Sequence, residues 1–233
     1  MSDESVSLEG VSVTIGIPIR GGFPPETAIS LCATVQRCAQ MGIPCEISVE
    51  RSSIVTMGRD FVLDNFLRGG MDRLFWIDSD MVWSPDDFMR LLAISTRVDV
   101  VGASYPAKVD GPTKHYVVPA DERKVGPFGI QEAKGFGLGF TVMSRHAAEV
   151  ISARAPRVKD ALNGREMAEV FRIDTVTNAD GVRERRTEDM AFFADLIDAG
   201  FTVWMDPSIE LGHIGEKQWR GSIMNAFSTT EGS

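Results

Sequence analysis

Strand-like and helix-like segments alternate through the first hundred residues of this chain, and this order limits the folds that it can adopt. Residues 11–18 alternate β-branched side chains and end at a turn-forming proline, which predicts a strand. Apolar residues at helical spacing, preceded by two prolines and followed by Gly42, predict a helix over 26–41. Similar patterns predict strands at 45–49, 74–77 and 99–103 and helices at 54–67 and 84–94. This alternation favours a parallel, doubly wound α/β sheet.

The composition is that of one globular domain. The chain has 233 residues, of which 43% are hydrophobic, enough for a single full-sized core. Acidic residues outnumber basic ones by 33 to 24, and the net charge of −9 argues against long-range attraction to nucleic acid or anionic membranes. Cys32, Cys38 and Cys45 lack the paired spacing of a metal site and are expected to be reduced packing residues.

No apolar run approaches the roughly 18 residues that a membrane span requires. The first residues also lack the basic and apolar regions of a signal peptide. We therefore expect a cytoplasmic protein without integral membrane association.

An apolar segment ends abruptly in two carboxylates, Asp78 and Asp80. Side chains two residues apart in a strand point the same way, so both acids are expected to project from its carboxyl end. Ligands bind at that end in open α/β sheets, and two hard oxygen donors suit Mg²⁺ or Mn²⁺ holding a diphosphate. The alternative is a strand followed by a capped turn, in which Asp and Ser are also common.

The second half of the chain is less regular. Strands are predicted at 116–118 and 138–143, with one more short strand around Trp204. Thr187 is a suitable cap for a helix whose first turn contains Glu188 and Asp189 and which stops before Gly200. Residues 154–186 are charged and weakly periodic, which fits either a loop that covers a substrate or a solvated surface excursion.

Five features form a pattern along the chain. In order, they are a first strand ending at Pro18, the apolar strand into Asp78-Ser79-Asp80, the glycine-rich stretch 135–139, the Thr187-Glu188-Asp189 helix start, and a late His213. Together they resemble the metal-dependent GT-A glycosyltransferases, especially the family 2-like enzymes of short soluble bacterial or bacteriophage type. The resemblance implies an α/β fold with a single Rossmann-like GT-A domain, a mostly parallel central sheet and helices on both faces.

The same resemblance implies domain boundaries and an activity. Residues 11–215 would form the GT-A domain, with a nucleotide-binding half at 11–103 and an acceptor half at 104–215. Residues 1–10 and 216–233 would be tails. The enzyme would move a sugar from a UDP or GDP sugar to an acceptor hydroxyl. A divalent metal would stabilise the diphosphate leaving group.

Residue roles also follow from the resemblance. Asp78, Asp80 and His213 would hold Mn²⁺ or Mg²⁺, and an imidazole among carboxylates favours Mn²⁺. Asp189 would be the catalytic base, with Glu188 as a supporting acid. The residues implied at the donor are Pro18, Arg20, Arg59, Asp78, Ser79 and Asp80. Without the resemblance, His213 fits a turn or surface histidine, and Arg59 fits a solvated helix face.

The residues expected to bind the acceptor are glycines and aromatic residues. Gly137 and Gly139 would let the backbone approach the acceptor closely. Trp83 is a candidate for stacking on the acceptor, together with Phe23, Tyr105 and Trp219, although large aromatics more often pack in cores.

Three other functions compete. A haloacid dehalogenase-type phosphohydrolase also has an apolar strand ending in Asp-x-Asp, but Val82 stands where a threonine is usual. A sugar-phosphate nucleotidyltransferase would have a basic, glycine-rich loop after the first strand, of which residues 19–23 are a weak version. A catalytically silent glycan-binding module would have a disrupted metal site.

The expected partners are a nucleotide-sugar donor and an acceptor that is a glycan, a protein or a modified DNA base. Arg183, Arg185 and Arg186 form the one dense basic cluster, which fits contact with an acceptor phosphate or an exposed charged loop. An oligomer is compatible with the sequence, and a phage-encoded protein of this type would work in the host cytoplasm.

Overall fold

The computed structural model describes residues 7–110, 112–161 and 163–224. The helices are α1 (Pro25–Gln40), α2 (Val55–Arg68), α3 (Pro85–Ile94), α4 (Arg145–Arg154) and α5 (Glu188–Asp198). The strands of the central sheet are β1 (Val13–Ile19), β2 (Cys45–Arg51), β3 (Arg73–Ile77), β5 (Val100–Gly102), β6 (Val117–Pro119), β7 (Gln131–Phe136), β8 (Phe140–Ser144) and β13 (Val203–Met205). The shorter strands are β4 (Met81–Val82), β9 (Arg157–Lys159), β10 (Glu166–Ala168), β11 (Asp174–Thr177), β12 (Arg183–Arg186), β14 (Leu211–Ile214) and β15 (Gln218–Gly221).

The central sheet has eight strands in the order β2-β1-β3-β8-β5-β13-β7-β6. The pairs β1/β2, β1/β3 and β5/β13 are parallel, whereas β8 and β7 are antiparallel to both of their neighbours. Six of the eight strands therefore run in one direction, and the sheet is mostly parallel, as predicted.

Alternate residues of β3 pack in different parts of the core. Leu74 and Trp76 belong to a buried cluster that includes Phe66 of α2. Phe75 and Ile77 belong to a second cluster, in which the Phe75 ring stacks on Phe88 of α3 at a centroid distance of 4.2 Å. Residues 74–77 of β3 are therefore buried on both faces of the sheet, and this buried segment holds the two carboxylates that follow it.

The predicted helix starts differ in how they are capped. Ser84 precedes α3 and accepts a hydrogen bond from the Asp87 backbone N–H at 3.1 Å, which confirms the predicted cap. Thr187 occupies the N-cap position of α5, as predicted, but its side chain makes no capping hydrogen bond. Glu188 and Asp189 still lie in the first turn of α5, where the helix dipole favours acids.

Several segments differ from the sequence prediction. The weakly periodic stretch contains two antiparallel hairpins, β9/β10 and β11/β12, and the basic cluster forms β12. The tail predicted to begin at residue 216 includes β15, which pairs with β14, so the folded part continues to Gly221. Residues 1–6 and 225–233 of the predicted tails lie outside the described residues.

Within the described ranges, no helix combines the length and the apolar character that a transmembrane span requires.

Candidate functional site

A cavity of about 480 Å³ opens where β1, β2, β3 and β5 end. We call it the carboxylate cleft. It is lined by Pro18, Ile19, Arg20, Ser52, Ser53, Val55, Gly58, Arg59, Asp78, Ser79, Asp80, Tyr105, Glu188, Asp189 and His213. The structure therefore brings all of the predicted donor, metal and catalytic residues to one cavity, as expected for the carboxyl end of an α/β sheet.

Arg59 is the centre of the charge arrangement in this cleft. Its side chain is only 3% exposed, and it projects from α2 toward the ends of β3 and α5. Its guanidinium lies 3.1 Å from Asp78 Oδ1, 3.4 Å from Glu188 Oε1, and in direct contact with Asp189 Oδ1. One buried cation thus joins three carboxylates.

The buried charges shift the titration of their neighbours. Burial by itself lowers the pKa of Arg59, but Asp189, Asp78 and Glu188 together raise it, so the guanidinium stays protonated. Burial also raises the pKa of the Asp189 carboxyl, and the charges of Asp78 and Glu188 add to this rise while Arg59 opposes it. Asp189 is therefore a stronger proton acceptor than an exposed aspartate.

Tyr105 contacts Asp78, and two glycines lie against these side chains. The Tyr105 hydroxyl donates to Asp78 Oδ2 at 3.4 Å. A Cβ atom at Gly139 would clash with the Asp78 carboxylate, and one at Gly137 would clash with the Tyr105 hydroxyl. The two glycines therefore leave room for the side chains of Asp78 and Tyr105.

His213 reaches Asp80 through strand pairing. β14 runs antiparallel to β4 and places His213 opposite Met81, so that its Nε2 lies 3.6 Å from Asp80 Oδ1. The His213 Nδ1 atom is 2.9 Å from the Pro106 carbonyl oxygen, which can only accept a hydrogen bond. Nδ1 therefore donates to this carbonyl, and Nε2 is left directed at Asp80, the orientation typical of a metal-binding histidine.

Lys108 neutralises the other side of Asp80. Its Nζ atom lies 2.5 Å from Asp80 Oδ2. Burial alone would raise the pKa of Asp80, but His213 and Lys108 lower it to about 2. Asp80 is thus ionised at any physiological pH.

The donor atoms available to a metal are fewer than the sequence suggested. Asp80 and His213 lie together, whereas Asp78 is directed at Arg59 and Tyr105. Among the described residues, no group of three or more His, Cys, Asp and Glu side chains is arranged as a metal site. The Asp80–His213 pair nevertheless fits a divalent ion that takes one or two protein ligands and completes its coordination with phosphate oxygens and water.

A second cavity, of about 580 Å³, adjoins the first. We call it the apolar cleft. It is lined by Tyr105, Ala107, Lys108, His115, Tyr116, Val117, Val118, Gly137, Thr187, Glu188, Asp189, Met190 and His213. Because Tyr105, Glu188, Asp189 and His213 line both cavities, the two meet at the α5 carboxylates.

Trp83 lies elsewhere. Its side chain packs in the core, with 5% of the residue exposed, and its indole N–H donates to Thr34 Oγ1 at 2.8 Å. It lines neither cleft, because Trp83 follows β4 and its side chain points toward α1, away from both cavities. We therefore leave Trp83 out of the candidate acceptor site.

Lys108, Ser52 and Ser53 line the site without having been predicted. Lys108 lies on the connection between β5 and β6, where no periodic pattern marks it. The serines immediately follow β2, so the rule that ligands bind where parallel strands end would have identified them.

Asp60, the neighbour of Arg59 on α2, supports the site from behind. It is 6% exposed, and its Oδ1 accepts backbone N–H bonds from Val170 and Phe171 at 2.9 and 3.1 Å. The Phe171 ring in turn lies 5.8 Å from the Arg59 guanidinium carbon. Burial raises the pKa of Asp60 from 3.8 to about 7.

We expect Asp60→Asn to flatten the pH dependence of stability. Between about pH 4 and pH 7 the folded protein keeps a proton on Asp60 that the unfolded chain gives up. The free energy of unfolding therefore falls as pH rises, by about 1.4 kcal/mol per pH unit. Asparagine can accept the same N–H bonds and does not titrate. Urea unfolding at about pH 5 and about pH 8 should show a smaller fall for Asp60→Asn than for wild type. Asp86 has a side chain that is 78% exposed, so Asp86→Asn should show the same fall in the free energy of unfolding as wild type. Parallel profiles of unfolding free energy against pH for Asp60→Asn and wild type would contradict this expectation.

Comparison with known proteins identifies similar folds. No protein-family model matches the sequence, and no curated protein is significantly similar to it. The crystal structure of A197 from STIV is similar with a TM-score of 0.52 and 23% identity, over 88% of this chain and 86% of that chain. The crystal structure of GalNAc-T7 with UDP, GalNAc and Mn²⁺ is similar with a TM-score of 0.50 and 11% identity.

The match to GalNAc-T7 covers 91% of this chain but only 45% of that protein, so the chain spans less than half its length. A glycosyltransferase involved in glycosylation of the PBCV-1 major capsid also matches, but its TM-score of 0.32 is too low to support an argument. At these identities, the similarity to A197 and GalNAc-T7 establishes a shared fold.

Proposed function

We propose that this protein is a metal-dependent glycosyltransferase that moves a sugar from a UDP or GDP sugar to an acceptor hydroxyl. The observation that carries the proposal is the meeting of two clefts at Glu188 and Asp189, one of them containing the Asp80–His213 pair. The fold shared with GalNAc-T7, which was solved with UDP, GalNAc and Mn²⁺, supports a glycosyl-transfer role.

At the donor end, Asp80 and His213 would hold Mn²⁺ or Mg²⁺. Such an ion supplies Lewis-acid stabilisation of the charge that develops on the diphosphate as it leaves. The Pro106 carbonyl fixes the His213 ring, and Asp80 remains ionised because Lys108 and His213 lower its pKa. Lys108 also adds a positive charge at the place where phosphate oxygens would lie.

At the acceptor end, Asp189 would take the proton of the acceptor hydroxyl while the oxygen attacks the sugar carbon and the bond to the diphosphate breaks. The raised pKa of Asp189 suits a general base that works near neutral pH. Arg59 holds Asp78, Glu188 and Asp189 together, so the charged groups stay in place without solvent reorganisation.

Nucleotide binding to wild type and Asp80→Ala tests the donor site. We expect UDP or GDP to raise the melting temperature of the wild type only when Mn²⁺ is present, because the negative diphosphate would bind beside Asp80 only together with a divalent cation. At a ligand concentration of about 100 times Kd, binding adds roughly 2.7 kcal/mol, or roughly 5–10 °C for a domain of this size. Asp80→Ala should abolish the shift, which thermal denaturation measures directly.

Asp121→Ala is the matched control. Asp121 also pairs with a lysine, Lys134, at 2.6 Å, but it is 84% exposed and lines neither cleft. It should keep the full metal-dependent shift. A wild type that neither nucleotide stabilises with Mn²⁺ would refute the proposed donor site.

A further inference from the structure

We propose that the apolar cleft binds the acceptor, and that the acceptor carries an aromatic or apolar group beside the hydroxyl that receives the sugar. This inference rests on the proposed function and specifies its substrate class. It starts from the position of the cleft: Glu188 and Asp189 line both cavities, so a ligand in the apolar cleft lies next to the proposed base and beside the donor site.

The wall of the cleft is apolar. Tyr116 and Val118 lie two residues apart on the extended segment at the edge of the sheet, and they are 69% and 43% exposed. Met190 of α5 and Val117 complete this wall. Large apolar side chains that remain exposed in a concave surface next to catalytic groups are typical of a small-molecule site.

The distribution of polar groups also limits the ligand. The charge of Lys108, which also lines the cleft, is matched by its ion pair with Asp80. Glu188 and Asp189 disfavour an anionic group next to the reacting hydroxyl. The wall formed by Tyr116, Val117, Val118 and Met190 offers few hydrogen-bond partners for a hydroxyl-rich ligand. A neutral acceptor with one polar end and one apolar end satisfies both parts of the cleft.

Two glucosides that differ only in the aglycone test this inference. Phenyl β-D-glucopyranoside and methyl β-D-glucopyranoside would be titrated calorimetrically into the full chain, alone and with UDP and Mn²⁺. Burial of the phenyl ring should make the phenyl glucoside bind at least about tenfold more tightly than the methyl glucoside. Equal affinities, or no binding of the phenyl glucoside, would overturn the inference.

Variants of the apolar wall test whether the phenyl glucoside binds in this cleft. Tyr116→Ser and Val118→Ser should each reduce phenyl-glucoside affinity severalfold and leave the UDP-dependent thermal shift unchanged. Val125→Ser is the control, because Val125 is also an exposed valine, at 62%, and lines neither cleft. Unchanged phenyl-glucoside affinity in both cleft variants would place the ligand elsewhere and overturn the inference.

The two proposals can fail separately. If UDP and Mn²⁺ stabilise the protein but the phenyl glucoside does not bind, the acceptor class is wrong and the donor site stands. If the phenyl glucoside binds through Tyr116 and Val118 but no nucleotide binds, the apolar cleft stands as a ligand site and the glycosyltransferase proposal fails.

Discussion

Replacing Arg59 with Met should lower the free energy of unfolding by about 3–5 kcal/mol near pH 8. The substitution keeps an unbranched side chain in the buried position but leaves the carboxylates of Asp78, Glu188 and Asp189 without their shared cation. These partly buried carboxylates repel one another and cannot recover full hydration, so the substitution destabilises the folded state. Urea unfolding of wild type and variant at the same pH measures the difference.

The control for this prediction lies on the same helix. Arg68 pairs with Asp64 one turn away, but its side chain is 61% exposed, so Arg68→Met should cost no more than about 1 kcal/mol. The pH dependence gives a second check. Without Arg59, the pKa of the Asp189 carboxyl, which burial already raises, rises further above its unfolded value, so the variant loses stability as pH rises and approaches wild type near about pH 5. An equal loss at both pH values, or a loss below about 1 kcal/mol at pH 8, would contradict the three-carboxylate arrangement.

The parts of the fold that the sequence predicts are those encoded by local patterns. β3 is recognisable because four apolar positions, 74–77, precede Asp78, and α3 because Ser84 and Pro85 form a typical helix start. β7 was not predicted, because its residues combine polar side chains with a glycine and do not alternate. α4 was missed because it buries only two alanines and Ile151, which gives a weak helical period.

The residues of the site also differ in how far local sequence patterns predict them. Asp78, Asp80, Glu188 and Asp189 lie at the ends of regular elements, so strand and helix rules mark them. Their partners depend on contacts between distant parts of the chain. Arg59 meets Asp189 across 130 positions, and the same guanidinium lies 3.1 Å from Asp78 Oδ1. Lys108 reaches Asp80 from an irregular connection that no periodicity predicts.

Asp189→Asn should reduce the rate of sugar transfer by a factor on the order of 10² to 10⁴. The amide cannot take the acceptor proton, and the variant should fold, because the amide oxygen can still accept from Arg59 while one buried negative charge is removed. The rate of nucleotide release would be measured with a sugar conjugate of the nucleotide that stabilises the wild type, in the presence of the phenyl glucoside. The metal-dependent thermal shift should be retained, which separates loss of the base from loss of donor binding.

Asp195→Asn is the matched control for Asp189→Asn, because Asp195 lies on the same helix and pairs with Arg172 outside both clefts. It should retain nearly the wild-type rate. The pH profile tests the role of the carboxylate itself: the base works when ionised, so the wild-type rate should fall as pH drops through the raised pKa of Asp189. Asp189→Asn should lack this acidic limb. If Asp189→Asn keeps both the wild-type rate and the fall in rate at acidic pH, another group transfers the proton. Glu188, the other carboxylate that lines both clefts, would then be tested in the same way.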